Sequence, residues 1–344
     1  MKPNLIKLLP VIFLFAAVIF VRTDCAAQST QRYLLALSKS DHNLAIIDPV
    51  TLKVMARVPV GPDPHEIVAS ADGKTAYVSN MGSGSFHEMN VIDLIAQKAL
   101  PNIDTKPFIG LHGLMFTGGK LWFTAEGSKS IGRYDPVTQQ IDWNMGTGQD
   151  RTHMIFVTTD EKRIYTTNVA SATVSIILDT LLVQGKGAPA WAKPRNEWMQ
   201  TVIPVGKGSE GFDVSPDGRQ LWTAGAGDGT ISIVDLVSKK MIFKIDAKVQ
   251  GANRLKFTPD GKRVLISSLG GSDLVVYDVA SRKELKRVNI GHGAAGILAD
   301  PDGSRAFVAC TPDNYIAVID LKTLEVTSHI EIGGPDGMEM AIRH

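Results

Sequence analysis

Cysteine is almost absent from this sequence, which contains two cysteines in 344 residues. Cys25 lies in a segment that we expect to be removed, so Cys310 would be the only thiol of the mature chain. An internal disulfide is therefore excluded. The stability of the fold has to come from the packing of its secondary structure.

An excess of charge of either sign is also lacking, because 36 basic residues stand against 35 acidic ones. Residues 1–27 carry Lys2, Lys7 and Arg22 against Asp24, a net +2, so the rest of the chain is near +1 − 2 = −1. This balance gives no excess of positive charge that would attract nucleic acid or an anionic membrane. We therefore expect no nucleic-acid partner.

The sequence has none of the short motifs that mark several common cofactors and reactions. There is no Cys-x-x-Cys-His for covalent haem, no Gly-x-Ser-x-Gly nucleophile elbow and no phosphate-cradling glycine loop. We therefore expect neither haem nor a nucleotide. The glycines instead separate short apolar segments.

One long apolar run, from Leu8 to Val21, lies near the amino terminus. Lysines precede it and small residues follow it, a pattern typical of an export signal, and the run is short for a membrane span. We expect residues 1–27 to be cleaved, leaving 28–344 as a periplasmic or secreted protein without a membrane span. A retained anchor is the alternative; a lipoprotein signal at Cys25 is disfavoured by the acidic residue before it.

A strand–turn–strand unit recurs through the rest of the chain. Its clearest copy is GPDPHEIVASADGKTAYVSN, residues 61–80, in which two short strands flank an Asp-Gly turn. Further copies begin at Leu111, Thr152, Ser209, Ala252 and Ala294. A period of about 40 to 50 residues with four strands per unit predicts a β-propeller.

Counting the first strands of these units predicts seven blades. The first strands begin at His65, His112, His153, Glu210, Asn253, Ala295 and Gly337. The amino-terminal segment supplies three strands and lacks a first one. We therefore expect an all-β, seven-bladed propeller in which the strand 337–344 pairs with the amino-terminal strands and leaves no open edge.

The lead-in GPDPH, the turn SADGK and the strand end Tyr77–Asn80 (YVSN) resemble the YVTN family of β-propeller repeats. The resemblance spans Arg32 to His344. It implies a seven-bladed propeller that is often exported. It implies little about chemistry, because these repeats occur in binding proteins, surface proteins and enzymes alike.

The unit from His112 to Pro136 is also similar to the repeats of streptogramin lyases, which are seven-bladed propellers. In that family a His at a blade start and a Glu fourteen residues later serve a catalytic magnesium site, and His112 and Glu126 have this spacing. The resemblance implies a metal-dependent lyase or lactone-opening enzyme, with His112 as base and Glu126 helping to hold the metal. Ala125 departs from the family's strand end, and the other units lack the pattern.

The residues that begin the first strands should ring one mouth of the central channel. Three imidazoles and a carboxylate converging there are suitable ligands for a divalent metal. Two interpretations follow: a hydrated or ligand-binding polar mouth, and a metal site for Zn²⁺, Cu²⁺ or Mg²⁺ made by His65, His112, His153 and Glu210.

Loops on the same face add further polar side chains around this mouth. Arginine beside an open pocket suits a carboxylate or phosphate group. We predict that a small-molecule or peptide-like ligand contacts Asn80, Arg151, Asn168, Asn253 and Arg254.

One unit is longer than the others, with an inserted loop at 180–200 that contains Trp191 and Trp198. This loop could pack on itself or dock a protein partner. Three hypotheses follow: a ligand-binding propeller, a metal-dependent enzyme, and an interaction scaffold in which the histidine arc is incidental.

Overall fold

A computed structural model describes residues 30–183 and 193–343. The predicted signal peptide and Trp191 lie outside the described residues. Within them are strands β1 (Gln31–Ser38), β2 (Asn43–Ile47), β3 (Val54–Pro59), β4 (Pro64–Ala69), β5 (Thr75–Asn80), β6 (Glu88–Asp93), β7 (Lys98–Asp104), β8 (Leu111–Thr117), β9 (Lys120–Ala125), β10 (Ser130–Asp135), β11 (Gln140–Gly146), β12 (Thr152–Val157), β13 (Arg163–Asn168), β14 (Thr173–Leu182), β15 (Arg195–Pro204), β16 (Ser209–Val214), β17 (Gln220–Gly225), β18 (Thr230–Asp235), β19 (Lys240–Asp246), β20 (Ala252–Phe257), β21 (Arg263–Ser268), β22 (Asp273–Asp278), β23 (Glu284–Asn289), β24 (Ala294–Ala299), β25 (Arg305–Cys310), β26 (Tyr315–Asp320), β27 (Glu325–Glu331) and β28 (Pro335–Arg343).

These strands form seven four-stranded antiparallel sheets, which confirms the predicted seven-bladed propeller. Six sheets use four consecutive strands, and the seventh has the order β28-β1-β2-β3. The closing pair runs from Gln31 opposite Arg343 to Ser38 opposite Pro335. The carboxy-terminal strand therefore completes the blade that the amino-terminal strands begin, as the sequence predicts.

The described residues contain two helical segments, each a single 3₁₀ turn, at Gly82–Gly84 and Thr311–Asp313. In the part of the chain that the structure describes, no helix is both long and apolar enough to cross a bilayer.

The middle strands of each blade are buried on both faces because a neighbouring blade covers each face. β13, RIYTTN, and β21, RVLISS, are buried from their second residue onward. The outer strands alternate instead, as in β11, where every second residue is exposed. Strands buried on both faces favour β-branched and aromatic residues, and both segments contain them.

The Asp-Gly turns fold as the sequence predicts. At the first of them Gly73 has a φ of +66°, the left-handed conformation that glycine adopts without steric cost. Asp72 Oδ1 accepts hydrogen bonds from the Ser70 hydroxyl (2.7 Å) and the Lys74 N–H (3.1 Å). Each turn thus fixes the register between the first two strands of its blade.

The predicted inserted loop is largely a strand hairpin. β14 and β15 each have ten residues, and their pairing continues to Leu182 opposite Arg195. Residues 180–182 and 195–200 are therefore strand. Trp198 packs on Trp143, with ring centroids 5.1 Å apart, and this aromatic contact holds the extended hairpin against the preceding blade.

Candidate functional site

The second residue of every first strand faces one mouth of the central channel. These residues, which we call the ring residues, are His65, His112, His153, Glu210, Asn253, Ala295 and Asp336. All seven line one cavity of about 440 Å³. Adjacent imidazoles are close: the ring centroids of His65 and His112 are 5.0 Å apart, and those of His112 and His153 are 3.7 Å apart.

The seventh ring residue corrects the sequence alignment, which assigned Gly337 to this position. The closing strand β28 has no Asp-Gly turn after it, so alignment on that turn fails there. Gly337 is instead equivalent to Gly113, which directly follows the ring residue His112. The two glycines have the same surroundings, because a β-carbon at either one would lie within 2.5 Å of the carbonyl oxygen of a ring residue on the next blade. The last blade therefore contributes a carboxylate, Asp336, to the mouth.

Hydroxyl groups on the second strands hold the ring residues in place. The Ser79 hydroxyl donates to the His112 carbonyl (2.8 Å), and the Thr167 hydroxyl donates to the Glu210 carbonyl (2.6 Å). Thr124 makes the same bond to the carbonyl of His153. Because each bond crosses from one blade to the next, the backbone beneath the mouth is held by the contacts between neighbouring blades.

A second set of mouth residues directly follows the second strands. Lys39, Met81, Leu269 and Thr311 occupy this position in four blades and line the cavity, and Glu126 occupies it in the blade of His112. Lys39 is not among the residues predicted from the sequence. Its signal is its position directly after the end of a second strand, which the Asp-Gly turns do not mark.

His112, His153 and Glu126 form a buried cluster whose nitrogen and oxygen ligand atoms all lie within 4.8 Å of one another. His153 Nδ1 is hydrogen-bonded to Glu126 Oε1. The other carboxylate oxygen of Glu126, Oε2, accepts a hydrogen bond from Arg151 Nε (3.2 Å). His112 Nδ1 and His153 Nε2 are buried and have no hydrogen-bond partner within the described residues. A carboxylate on one histidine nitrogen fixes the tautomer and leaves the other nitrogen free for a metal. The donor set therefore fits a divalent cation.

The surroundings keep His112 and Glu126 in the protonation states that metal binding requires. Burial, followed by repulsion from His153, His65 and Arg254, holds the pKa of His112 well below its usual value, so this imidazole is neutral. Burial alone would raise the pKa of Glu126, but its hydrogen bond to His153 and the positive charge of Arg151 lower it overall. A neutral imidazole and an ionised carboxylate are metal-binding forms.

His65 lies beside the cluster, and other charged groups surround its ring. Lys39 Nζ lies 2.9 Å from His65 Nδ1 and also contacts Asp63 Oδ1 (3.0 Å) and Asp336 Oδ2 (3.2 Å). Burial lowers the pKa of His65, but the bond to Asp63 and the charge of Asp336 outweigh it and raise the pKa overall. His65 and Glu210 are not among the three residues whose ligand atoms converge in the described residues.

The remaining predicted ligand-binding residues divide into two groups. Arg151, Asn253 and Arg254 line the mouth cavity, and Arg254 donates to Asn253 Oδ1 (3.0 Å) and pairs with Glu66. Asn80 and Asn168 do not line it. Asn168 is fully buried and bonds to hydroxyls of its own blade, whereas Asn80 lines a separate cavity.

The charged side chains that line the mouth are paired. Three cations, Lys39, Arg151 and Arg254, line the cavity, and their ion-pair partners are Asp63, Asp336, Glu66, Glu126 and Glu210.

The opposite side of the mouth is apolar. Leu269, Pro312 and Ala295 line it, and Leu269 leaves 45% of its surface exposed. The cavity therefore has a charged half, where the His–Glu–His cluster lies, and an apolar half across the channel.

No protein-family model and no curated protein matches this chain. Solved structures with a similar fold include a proposed 6-phosphogluconolactonase from Bacteroides fragilis, with 16% identity, a TM-score of 0.70, and coverage of 90% of this chain and 97% of that chain. Another from Bacteroides uniformis has 13% identity and a TM-score of 0.71, over 90% of this chain and 99% of that chain. A dihydro-haem d1 dehydrogenase in complex with DHE has 15% identity and a TM-score of 0.62, over 87% of this chain and 63% of that chain. At these identities the likeness shows the fold alone, and this chain is a seven-bladed β-propeller.

Proposed function

We propose that this propeller is an exported protein that binds one divalent metal ion at the mouth of its channel and holds a small ligand against it. The observation that carries the proposal is the buried His112–His153–Glu126 cluster, whose two imidazoles have free nitrogens. Two histidines and one carboxylate leave coordination positions open on Zn²⁺ or Fe²⁺. The export signal and the YVSN repeat pattern support a location outside the cytoplasm and a place among the YVTN propellers.

The two halves of the mouth indicate which ligand fits. An oxygen-bearing group, such as a carboxylate or a lactone carbonyl, can bind the metal and reach Arg151, whose side chain is 44% exposed. An apolar portion of the ligand can cover Leu269 and Pro312. A small molecule with one polar end and one apolar end satisfies both halves.

Metal titration of the untagged mature chain tests the metal site. Isothermal calorimetry with Zn²⁺, and the absorption spectrum with Co²⁺, should show one bound ion per chain. His112→Ala and His153→Ala should each weaken Zn²⁺ binding at least about tenfold, since each removes a ligand. His292→Ala is the matched control, because His292 lies in a loop on the same face and its side chain is 77% exposed.

Two results would overturn the proposal. One is a protein that binds none of Zn²⁺, Cu²⁺, Fe²⁺ and Mg²⁺. The other is Zn²⁺ binding of equal strength in the wild type, His112→Ala and His153→Ala.

A second candidate function, metal-assisted lactone opening or elimination, is favoured by the neutral state of His112. In this case Glu126 and His153 hold the metal, and His112 removes a proton as general base. Hydrolysis of glucono-δ-lactone, followed in a pH-stat, is one direct probe. His112→Ala should then abolish turnover while the protein still binds metal, whereas the binding function predicts no turnover in either protein.

A further inference from the structure

A second cavity, of about 280 Å³, lies on the blade of β4–β7, beside residues 61 and 62, which lead into that blade. Its lining includes Gly61, Pro62, Asn80, Phe86 and Asn102. Within the described part of the chain it shares no lining residue with the mouth. The ligand chemistry of this cavity can therefore be considered independently of the metal cluster.

A chain of hydrogen-bonded side-chain amides, which we call the relay, lies along the cavity wall. The groups at its two ends fix which atom of each amide donates and which accepts. The Gly61 N–H can only donate, and it donates to Asn90 Oδ1 (2.7 Å), which also accepts from Asn80 Nδ2 (2.8 Å). At the far end the Glu88 carboxylate accepts from Asn102 Nδ2 (3.0 Å), so Asn102 Oδ1 accepts from Asn90 Nδ2 (2.9 Å). Both ends require the same orientation of the amides.

The relay leaves one buried acceptor free. Asn80 is 3% exposed, and its Oδ1 has no hydrogen-bond partner within the described residues. The equivalent residue two blades on, Asn168, is satisfied: its Nδ2 donates to Thr173 and Ser175 (3.0 Å each), and its Oδ1 accepts from Thr166 (3.4 Å). A buried acceptor without a donor destabilises the fold, and a ligand hydroxyl that donated to this oxygen would remove that cost.

The walls beside Asn80 are apolar and held in position. The Phe86 ring lies over Gly82, where a β-carbon would come within 2.2 Å of the ring, and 36% of Phe86 remains exposed. Pro62 forms part of the same lining. Phe86 therefore offers a fixed aromatic surface next to a hydrogen-bond acceptor.

We propose that this cavity binds a neutral pyranose sugar. A sugar hydroxyl would donate to Asn80 Oδ1, other hydroxyls would exchange bonds with Asn102 and Glu88, and the C–H face of the ring would lie on Phe86. The Glu88 carboxylate disfavours an anion. An ammonium ion would lose its hydration and gain only a hydrogen bond to a neutral amide oxygen. The desolvation cost of a hydroxyl is smaller, so a hydroxyl is the better donor for this site.

Binding of glucose, galactose, mannose and N-acetylglucosamine to the mature chain, at millimolar concentration, tests the proposal by saturation-transfer NMR and calorimetry. At least one sugar should bind. Phe86→Ala should weaken binding about tenfold, because it removes the aromatic surface. Phe243→Ala, which alters a phenylalanine that is 44% exposed on the outer strand β19, should leave binding unchanged.

A second pair of variants tests the acceptor itself. Asn80→Ala should abolish sugar binding, whereas Asn168→Ala, which removes a buried asparagine at the equivalent position of another blade, should not. Thermal unfolding shows whether both variants are folded. His112→Ala should bind the sugar normally, so the failure of this proposal and that of the metal site are distinguishable.

Three results would overturn the pyranose site. The first is that none of the four sugars binds. The second is that binding is the same in the wild type and Phe86→Ala. The third is a crystal soaked in the best-binding sugar that shows only a water molecule bonded to Asn80 Oδ1.

Discussion

Glu126 and Glu210 both lie near Arg151, but their neighbours differ. Glu126 bonds to His153 and belongs to the converging cluster, whereas Glu210 reaches only Arg151 Nη2, at 3.9 Å, among the ion-pair partners in the described residues. The repeat alignment selected Glu210 because it occupies a ring position. The lyase resemblance selected Glu126 through its spacing from His112. The structure brings together His112 and His153 from the first approach and Glu126 from the second.

This difference gives a direct prediction for two conservative variants. Glu126→Gln should weaken Zn²⁺ binding about 10- to 100-fold, because it removes a ligand or the carboxylate that orients His153. Glu210→Gln should change Zn²⁺ affinity less than threefold, roughly the scatter expected for a distant charge. Calorimetric titration of both variants under one buffer condition makes the comparison, and equal losses would show that the cluster is assigned wrongly.

A half-buried acid that lines a cavity along the channel predicts a pH dependence of stability. Loss of hydration raises the pKa of Glu339 to about 7 from an ordinary value of 4.5. Below about pH 4.5 Glu339 is protonated in both the folded and unfolded states, so its burial has no ionisation cost. Between pH 4.5 and 7 the unfolded chain releases the proton and the folded chain keeps it, so stability falls as pH rises.

Glu339→Gln should remove this cost. The variant should gain about 1–3 kcal/mol in free energy of unfolding at pH 8 relative to the wild type, and the gain should disappear near pH 4.5. Urea unfolding at the two pH values measures it. Glu331→Gln, on the exposed side of β27, is the control and should show no such difference. A gain of equal size at both pH values would contradict the assignment.

The Asp-Gly turns of different blades have the same backbone conformation but different neighbouring atoms. Gly73 and Gly303 both have positive φ, +66° and +74°. A β-carbon at Gly73 would lie 2.4 Å from the carbonyl oxygen of Ile342 on the closing strand, whereas one at Gly303 would meet no described atom within 4 Å.

The two glycines therefore separate backbone strain from steric clash. Gly303→Ala should cost about 1–2 kcal/mol, the penalty of a left-handed alanine. Gly73→Ala should cost a further 1–3 kcal/mol or so, because it also pushes on the strand that closes the ring. Denaturant unfolding of both variants measures the difference, and equal losses would show that the contact with Ile342 relaxes freely.

The extended hairpin shows why local sequence misjudged one connection. A segment with two tryptophans, two prolines and several charged residues has no strong strand pattern, so it predicted a loop. The strands extend because Trp198 packs on Trp143 of the neighbouring blade. This contact joins residues 55 positions apart and has no signal in the segment itself.

Closure of the ring depends on a single strand pair between the two ends of the chain. The β1–β28 pairing covers Leu34 and Leu35, which are fully buried. Truncation after Gly334 would remove β28 and expose β1 as an apolar edge strand, which favours aggregation. We expect the truncated chain to lose its cooperative thermal transition and to scatter light at concentrations where the mature chain does not.

A circular permutant provides the control for that truncation. Joining residue 343 to residue 31 through a short flexible linker and opening the chain at Val237, an exposed turn residue between β18 and β19, keeps every strand pair. It should fold and retain Zn²⁺ binding. If the truncated chain also folds to a stable monomer, strand β28 is not required for closure.

The sequence by itself determined the all-β class, the number of blades and the pairing of the chain ends, because each blade repeats a local pattern of short strands and Asp-Gly turns. It also selected His112, His153 and Glu126, through position in the repeat and through spacing. Only the tertiary structure decided which of the candidate side chains meet. The direction in which a side chain points around the channel depends on the closed ring of blades. Local sequence pattern alone could therefore not predict the contact of His65 with Lys39, the position of Asp336 in the mouth or the separate cavity at Asn80.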